Sequence, residues 1–287
     1  MNHLRLGHSP DSDDAFMFWA LATDRVSVPG VQFTHELRDI ETLNRWAREG
    51  RLEFTAISVH AYAYVHERYA ILPHGASMGD GYGPMLVARP DTPHMTDGLR
   101  LGIPGELTSA FLALQLWRSA RIPPEEPSNP TGLRYVVLPF DQIIEAVTAG
   151  DIDAGLIIHE GQLTYREHGL HVLVDLGAWW KERTDLPLPL GVNVIRTDLE
   201  PGLQRAVANA FQQSIVEGLA NRQEALTHAL QYSRGLPTPT ADRFVGMYVN
   251  DWTVDMGVRG RRAIELFLAE ASDRSLIPPI DGVSFVS

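Results

Sequence analysis

Short apolar runs alternate along the chain with longer segments in which apolar residues recur every three or four positions. The first pattern predicts strands that pack against a core, and the second predicts helices with one buried face. Strands are predicted at 4–9, 31–37, 54–59, 100–104, 134–139, 154–158 and 188–196. Helices are predicted at 13–22, 39–50, 60–69, 105–120, 141–150 and 203–232.

The order of these elements indicates the fold class. Strands that alternate with helices are typical of α/β proteins, in which right-handed crossovers join parallel strands. Proline, glycine and polar residues at 89–99 are typical of a linker, and a second crossing is expected near 188–198. We therefore predict two α/β lobes with a ligand-binding cleft between them, the first comprising 1–90 and 196–287 and the second 98–190.

The composition narrows the possible functions. Of the 287 residues, 44% are hydrophobic and 21% are charged, which is ordinary for a globular protein with a substantial core. The formal net charge of -12 disfavours binding to nucleic acid or to an anionic membrane, because both favour a cationic surface. The chain has no cysteine, which excludes disulfides, thiolate catalysis and thiolate zinc sites.

Two further absences determine the expected location. The chain has no uninterrupted stretch of 18 apolar residues, so no membrane-spanning helix is expected. The first ten residues lack the apolar segment of a secretory signal peptide, so we expect a cytoplasmic protein. The apolar faces of the C-terminal helices could cover the first lobe or mediate a homodimer, and the sequence leaves both open.

Polar residues follow five of the predicted strands, at the ends that would face a cleft. These loops lie at 8–14, 57–62, 105–110, 138–142 and 157–162. Thr108 and Ser109 begin a predicted helix, whose first free N–H groups could bind an anion together with the two hydroxyls. Ser58 occupies a similar position in its own loop. For each of these hydroxyls the alternative role is that of an ordinary helix cap.

Three carboxylates cluster in the loop at 8–14. Asp11, Asp13 and Asp14 lie within four residues of one another, a density that could suggest a divalent metal. Their spacing matches no complete metal motif, and the helix dipole already favours carboxylates at the start of a helix. We therefore interpret them as part of a helix N-terminus with Ser12 or Asp13 as the N-cap, and we predict no metal site.

A histidine follows the apolar run at 154–158. Imidazole titrates near neutrality, so His159 at a strand end facing a cleft could take a proton from a substrate. The neighbouring Glu160 could orient or neutralise the ring. The alternative is a histidine that is packed for structural reasons.

Two adjacent tryptophans, Trp179 and Trp180, lie in the segment at 175–191. Adjacent positions on a helix point about 100° apart, so one indole could pack in the core while the other stacks on a planar ligand. Packing of both indoles in the core is the alternative.

Several motifs together resemble one known family. They include "LGHSPDSDDAFMFWAL" at 6–21, "DIETLNRWAREGRLEFTAIS" at 39–58, "AGLIIHE" at 154–160 and "DLGAWWKERTDLPLPLG" at 175–191. In this order, and over nearly the whole chain, they resemble the 1,4-dihydroxy-6-naphthoate synthases, enzymes of the futalosine route to menaquinone. The resemblance implies the two-lobed periplasmic-binding-protein-like fold of type II, used here by a cytoplasmic enzyme.

The resemblance also implies a reaction and its residues. Cyclic dehypoxanthine futalosine would be converted to 1,4-dihydroxy-6-naphthoate with release of dihydroxyacetone, by a carbon–carbon lyase that requires no cofactor. The general base would be His159, the histidine of the "IIHE" motif. The loops that contact this small anionic substrate would contribute Ala56, Ile57, Ser58, Thr108 and Ser109.

Two positions depart from the family pattern. A lysine often precedes the apolar residue and serine of the first substrate loop, whereas this chain has Ala56. A lysine there could meet the substrate carboxylate through a charge-assisted hydrogen bond worth about 1.5–3 kcal/mol. The N-terminal loop has "PDSDD" where Cys-Pro-Asn-Asp is common, so Asp13 replaces an asparagine and adds negative charge beside an anionic ligand.

Two other functions stay open. A non-catalytic protein that binds a small carboxylate in the same fold would account for the cleft and for the missing lysine, but it gives His159 no role. The related enzyme chorismate dehydratase shares the fold, but it is not expected to carry "GLIIHE" at this place. Turnover of the cyclic futalosine would distinguish the three.

Overall fold

The computed structural model describes residues 2–92, 98–121, 131–232 and 237–287. The strands in these ranges are β1 (Asn2–His8), β2 (Val31–Leu37), β3 (Phe54–Ser58), β4 (Tyr69–Ile71), β5 (Ser77–Gly79), β6 (Met85–Ala88), β7 (Arg100–Ile103), β8 (Arg134–Val137), β9 (Ala154–Ile157), β10 (His171–Asp175) and β11 (Leu188–Arg196). The helices are α1 (Ser12–Met17), α2 (Trp19–Ala22), α3 (Ile40–Arg48), α4 (Val59–Tyr62), α5 (Ser109–Ser119), α6 (Ile143–Ala149), α7 (Gly161–Thr164), α8 (Leu176–Thr184), α9 (Pro201–Ala220), α10 (Arg222–Leu230), α11 (Thr238–Tyr248), α12 (Asp251–Val254) and α13 (Gly257–Asp273).

The first sheet has six strands in the order β2-β1-β3-β11-β4, with β5 paired to β11. Strand β1 runs parallel to β2 and β3, whereas β11 runs antiparallel to β3, β4 and β5. Every residue of β3 is buried, as expected for a strand covered on both faces. The carboxyl end of β3 therefore stands on a rigid support in the middle of the sheet.

The second sheet has five strands in the order β10-β6-β9-β7-β8. Strand β7 runs parallel to β8 and β9, and β6 runs antiparallel to β9 and β10. The predicted parallel pairing is thus confirmed within each sheet. It is wrong for β6 and β11, the first strand after each crossing between the sheets, because both run antiparallel to the strands beside them.

Sheet membership differs from the predicted lobe boundaries at one strand. Strand β6 falls within the range 1–90 predicted for the first lobe, but it inserts between β9 and β10 of the second sheet. The chain therefore passes between the sheets at 80–84, ahead of the predicted linker at 89–99, of which 93–97 lies outside the described residues. It returns through α8, before the predicted second crossing, because β11 pairs with the first sheet from Leu188 onward.

The two connections between the sheets contact each other. A Cβ atom added at Gly177, near the start of α8, would lie 1.9 Å from the carbonyl oxygen of Tyr82 in the first connection. Any other residue at this position would collide with the backbone of the opposite connection, so the close approach requires a glycine. The Tyr82 hydroxyl also donates a hydrogen bond to the carbonyl oxygen of Met247.

Three predicted helices are shorter or interrupted in the structure. The segment at 60–69 is helical only in α4, because its histidine, aromatic and valine residues are weak helix formers. The segment at 203–232 forms α9 and α10, which are separated at Asn221, where the side-chain Nδ2 donates to the carbonyl oxygen of Glu217 at 2.9 Å. The segment at 13–22 forms α1 and α2.

The core is built from both sheets and the helices around them. Helices α1, α2, α9, α10 and α11 contribute to a cluster on the first sheet, and α4, α5, α8 and α13 contribute to a second cluster that includes residues of both sheets. Trp180 is fully buried in this second cluster, and its indole N–H donates to the carbonyl oxygen of Pro187 at 3.1 Å. Within the described ranges, no helix is long and apolar enough to span a membrane.

Candidate active site

A cleft lies between the two sheets and contains about 730 Å³ of space, part of which is open solvent. It is lined by residues of both lobes, chiefly at the ends of β3 and β9, in the middle of β11 and at the starts of α1 and α5. All six residues predicted for the site line this cleft, namely Ala56, Ile57, Ser58, Thr108, Ser109 and His159. The structure therefore brings together residues that lie up to about a hundred positions apart in the sequence. Their roles differ from one another in the hydrogen bonds that they make.

Ser58 keeps its hydroxyl hydrogen available for a ligand. Its Oγ accepts a hydrogen bond from Asn44 Nδ2 at 3.1 Å, and its backbone N–H donates to Asn44 Oδ1 at 2.8 Å. It occupies the N-cap position of α4, but its side chain makes no capping hydrogen bond. The buried Asn44 thus fixes Ser58 in place, and the hydroxyl can donate into the cleft.

The hydroxyls of Thr108 and Ser109 are already occupied. Thr108 Oγ1 donates to the carbonyl oxygen of Gly105 at 2.8 Å and accepts from the N–H of Phe111 at 3.2 Å, which is the helix-cap alternative. Ser109 Oγ donates to the carbonyl oxygen of Leu190 at 2.5 Å and accepts from the N–H of His60 at 3.2 Å. Both side chains therefore hold the loop together in this arrangement.

The backbone at the start of α5 supplies the donors instead. The N–H groups of Ser109 and Ala110 make no hydrogen bond within the described part of the chain, and both residues line the cleft. Free N–H groups in the first turn of a helix, with the positive end of its dipole, form a neutral anion-binding site. The predicted anion site is thus present as backbone donors.

His159 is the second residue after β9 and lines the cleft. Its backbone φ is +52°, in the left-handed region that non-glycine residues rarely adopt, at a cost of about 1–3 kcal/mol. The ring lies 4.7 Å from the ring of Phe140 and 6.2 Å from the ring of Phe244, measured between centroids. The side chain keeps 16% of its surface exposed. This conformation turns the imidazole toward the cleft at the end of a rigid strand.

The imidazole is surrounded by carboxylates. His159 Nε2 lies 3.4 Å from Asp11 Oδ2, across the boundary between the lobes. Burial lowers the pKa of His159, but Asp11, Asp13, Glu160 and Asp14 raise it, and the net effect is a pKa above the ordinary value. The sequence suggested that Glu160 orients or neutralises the ring, but Glu160 is only one of several carboxylates that raise the pKa of His159.

The acidic loop is organised around Ser9. Asp14 Oδ2 accepts a hydrogen bond from the N–H of Ser9 at 2.9 Å, and the Ser9 hydroxyl donates to Asp11. Burial raises the pKa of Asp13 to about 6, against the attraction of His159, and burial together with Asp13 raises the pKa of Asp14 well above its usual range. Both shifts favour the protonated carboxyl, the form that does not repel an anionic ligand, relative to an exposed aspartate.

The capping interpretation of this loop is wrong in one respect. The N-cap of α1 is Asp11, not Ser12 or Asp13, and its side chain makes no capping hydrogen bond. Asp13 and Asp14 lie within the first turn, where the helix dipole favours negative charge. Among the described residues, no three histidine, aspartate or glutamate side chains are grouped so as to hold a metal ion.

No lysine or arginine lines the cleft in the part of the chain that the structure describes. Ala56 does line it, at the position where the family often has a lysine, and no other cation takes that place. The basic side chain that faces the cleft is His159. A bound carboxylate would therefore be held mainly by neutral donors, namely the N–H groups of α5 and the hydroxyl of Ser58.

Two contributors to the site were missed in the sequence. Tyr248 at the end of α11 and Gln162 of α7 both line the cleft, and Tyr248 Oη lies 2.8 Å from Gln162 Oε1. Burial raises the pKa of Tyr248, so its hydroxyl stays protonated and donates this bond. No local pattern marks either residue, because the contact joins helices of the two lobes that lie 86 positions apart in the chain.

The tryptophans do not contribute. Neither Trp179 nor Trp180 lines the cleft. Trp180 is packed in the core, as the alternative has it, whereas Trp179 is partly buried, packs against the core and meets the Trp180 ring edge to face. The Arg183 guanidinium lies over both indoles.

A sequence model of the family described as menaquinone biosynthesis matches residues 4–273. The chain belongs to this family. A curated member of the menaquinone biosynthesis family, 1,4-dihydroxy-6-naphthoate synthase of Thermus thermophilus, is 43% identical over 286 residues, covering 100% of each chain. The family resemblance read from the motifs is therefore confirmed.

Two solved structures extend the comparison. A crystal structure of a protein from Archaeoglobus fulgidus is 43% identical and superposes with a TM-score of 0.87, covering 96% of this chain and 98% of that one. A Candida albicans protein described as having the generic periplasmic binding protein fold superposes with a TM-score of 0.66 at 12% identity, covering 98% and 92%. The predicted α/β fold of the periplasmic-binding-protein type is confirmed for this member of the menaquinone biosynthesis family.

Proposed function

We propose that this protein is a 1,4-dihydroxy-6-naphthoate synthase, a lyase that converts cyclic dehypoxanthine futalosine to 1,4-dihydroxy-6-naphthoate and dihydroxyacetone. The observation that carries the proposal is the position of His159, which faces the cleft between the lobes in a chain of this family. The full-length similarity to a curated synthase supports the same reaction. The left-handed backbone of His159 is typical of a functional site, and turnover separates an enzyme from a binding protein.

In the proposed mechanism His159 acts as the general base. Its neutral imidazole removes a proton from the bound substrate, and the carboxylates around the ring stabilise the imidazolium that forms. Negative charge that develops on the substrate is stabilised by the N–H groups of Ser109 and Ala110 and by the Ser58 hydroxyl, because these donors are already in place. Carbon–carbon cleavage and aromatisation then drive the reaction forward.

The site binds an anion without a permanent cation. The helix N-terminus and Ser58 supply neutral donors, and the raised pKa values of Asp13 and Asp14 reduce the fraction of these groups that is charged. Enclosure between the lobes excludes water, which strengthens each of these hydrogen bonds. These features fit a small organic carboxylate that is largely enclosed when bound.

The decisive experiment is turnover by the purified protein. We expect the protein, incubated with cyclic dehypoxanthine futalosine, to release the naphthoate, detected by its fluorescence and mass, and dihydroxyacetone in equal amount. Chorismate is included as a second substrate in a parallel reaction. Binding of the futalosine without turnover would favour a non-catalytic binding protein, and dehydration of chorismate alone would favour the related dehydratase.

A cytoplasmic location is the remaining part of the proposal. It is tested by fractionation of the native host followed by detection of the protein, and a membrane-bound or exported pool would contradict it. The oligomeric state, for which the sequence left a monomer and a homodimer open, is measured by light scattering of the purified protein.

A further inference from the structure

We propose that Asp11 is a positioning residue that holds the His159 imidazole through its Nε2–H, so that Nδ1 is the atom that receives the substrate proton. This proposal rests on the proposed role of His159 as the base. It assigns a partner and a tautomer to that base. It also links the two lobes, because Asp11 belongs to the loop after β1 and His159 to the loop after β9.

The first support is the contact itself. Asp11 Oδ2 lies 3.4 Å from His159 Nε2, and no other carboxylate oxygen of the described residues is within 4.0 Å of the ring nitrogens. The separation is longer than a formed hydrogen bond, as is common for catalytic pairs before a substrate closes the site. Glu160, Asp13 and Asp14 also surround the ring, but they act on it from greater distance.

The second support is the different environment of the two ring nitrogens. His159 Nε2 is buried and makes no hydrogen bond within the described chain, and the carboxylate beside it is Asp11, with Oδ2 at 3.4 Å. A buried N–H without an acceptor is costly, so the Asp11 carboxylate determines where the proton resides. Nδ1 makes no hydrogen bond with the described residues and is not buried, so it is the atom left to face a ligand.

The third support is that Asp11 is itself held in place. Its backbone N–H donates to Ser9 Oγ at 3.0 Å, and the Ser9 hydroxyl donates back to the carboxylate. Although Asp11 is the N-cap of α1, its side chain caps no N–H, so the carboxylate is free to meet His159. The side chain keeps only 12% of its surface exposed. A fixed and largely enclosed carboxylate orients an imidazole better than a mobile surface one.

The pairing depends on the relative position of the lobes. Asp11 comes from the first lobe and the imidazole from the second, so separation of the lobes would remove the acceptor from Nε2. The base would then be oriented only while the cleft is closed. This couples proton removal to enclosure.

The test compares two single-charge changes beside the same ring, Asp11→Asn and Glu160→Gln. Imidazole ¹⁵N NMR of the substrate-free protein, assigned with His159→Asn, reports both the tautomer and the titration midpoint of His159. We expect Nε2–H in the wild type, loss of this preference and a midpoint at lower pH in D11N, and the wild-type tautomer with a smaller change in E160Q. Equal changes in D11N and E160Q, or no change in D11N, would overturn the proposal.

The kinetic arm uses the same variants. We expect kcat of D11N to fall about 10- to 100-fold with KM changed much less, and Asp11→Glu to recover part of the loss. Thermal unfolding of each variant separates a folding defect from a positioning defect. The NMR result does not require turnover, so a protein that makes no naphthoate would refute the proposed function while leaving the Asp11–His159 pairing measurable.

Discussion

Tyr248 of helix α11 and Gln162 of helix α7 are joined by a 2.8 Å hydrogen bond that crosses the cleft from one lobe to the other. Both side chains are buried, and their residues lie 86 positions apart in the sequence. Together with the approach of Asp11 to His159, this bond holds the described structure in a closed arrangement. The closed arrangement leads to the first prediction.

Replacement of Tyr248 by Phe should favour the open arrangement. Loss of the hydroxyl leaves the buried Gln162 oxygen without its donor, at a cost of about 1–3 kcal/mol in the closed form. We expect a larger radius of gyration in solution scattering without substrate and a higher KM. The exposed Tyr232 provides the control, because Tyr232→Phe removes a hydroxyl outside the cleft. Equal scattering and KM in the two variants would contradict a closing role for Tyr248.

His159→Asn should abolish most of the turnover without unfolding the protein. Loss of a general base lowers kcat by about two to four powers of ten. His168→Asn, an exposed change in the same lobe, should keep wild-type turnover. Because carboxylates raise the pKa of His159, the wild-type kcat/KM should rise with pH through a midpoint above the ordinary value of 6.5. Wild-type turnover in H159N would remove His159 from the mechanism.

Asp13→Asn should stabilise the protein, and more so at high pH. Burial raises the pKa of Asp13 from 3.8 to about 6 in the folded protein. The contribution of its protonated form to stability is therefore complete below pH 3.8, and it is lost as the pH rises through 6. Asparagine cannot ionise. We expect the free energy of unfolding in urea to exceed that of the wild type by up to about 3 kcal/mol at pH 8 and by much less at pH 4. The exposed Asp273→Asn should show no such pH dependence.

Thr108→Ala should lower the free energy of unfolding and leave kcat nearly unchanged. Its hydroxyl accepts from the N–H of Phe111 as the cap of α5, and loss of such a cap costs about 1 kcal/mol. Thr108→Ser keeps the hydroxyl and should keep the stability. Urea unfolding measures both. A large loss of kcat in T108A with unchanged stability would instead mean that the hydroxyl acts on the substrate.

The strands that carry the site, and the polar residues at their ends, could be predicted from the sequence. Buried strands have a clear pattern of their own, and polar residues directly behind them mark the edge where parallel strands end. This logic located Ser58, Thr108 and His159 in one cleft. It could not assign their hydrogen bonds, because the choice between capping a helix and binding a ligand depends on partners in other elements, such as Asn44 of α3 and Leu190 of β11.

Contacts between the lobes were beyond the reach of local patterns. The pairing of Asp11 with His159 joins residues 148 positions apart, as their numbers show, and depends on how far the lobes close. Strands β4, β5 and β6 were not predicted, since runs of three or four residues among prolines and glycines are too short to show alternation. The lobe boundary was misplaced for this reason, because β6 is the first strand after the crossing.

The contact between Gly177 and the backbone of Tyr82 has a consequence for how the halves of the molecule move. Two connections that lay apart would allow the lobes to slide and twist in several directions. Two connections in contact with each other restrict the lobes to one hinge. We therefore expect the two lobes to rotate relative to each other about a single hinge axis at this contact. Each closure about this axis would return Asp11 of the acidic loop to the imidazole of His159.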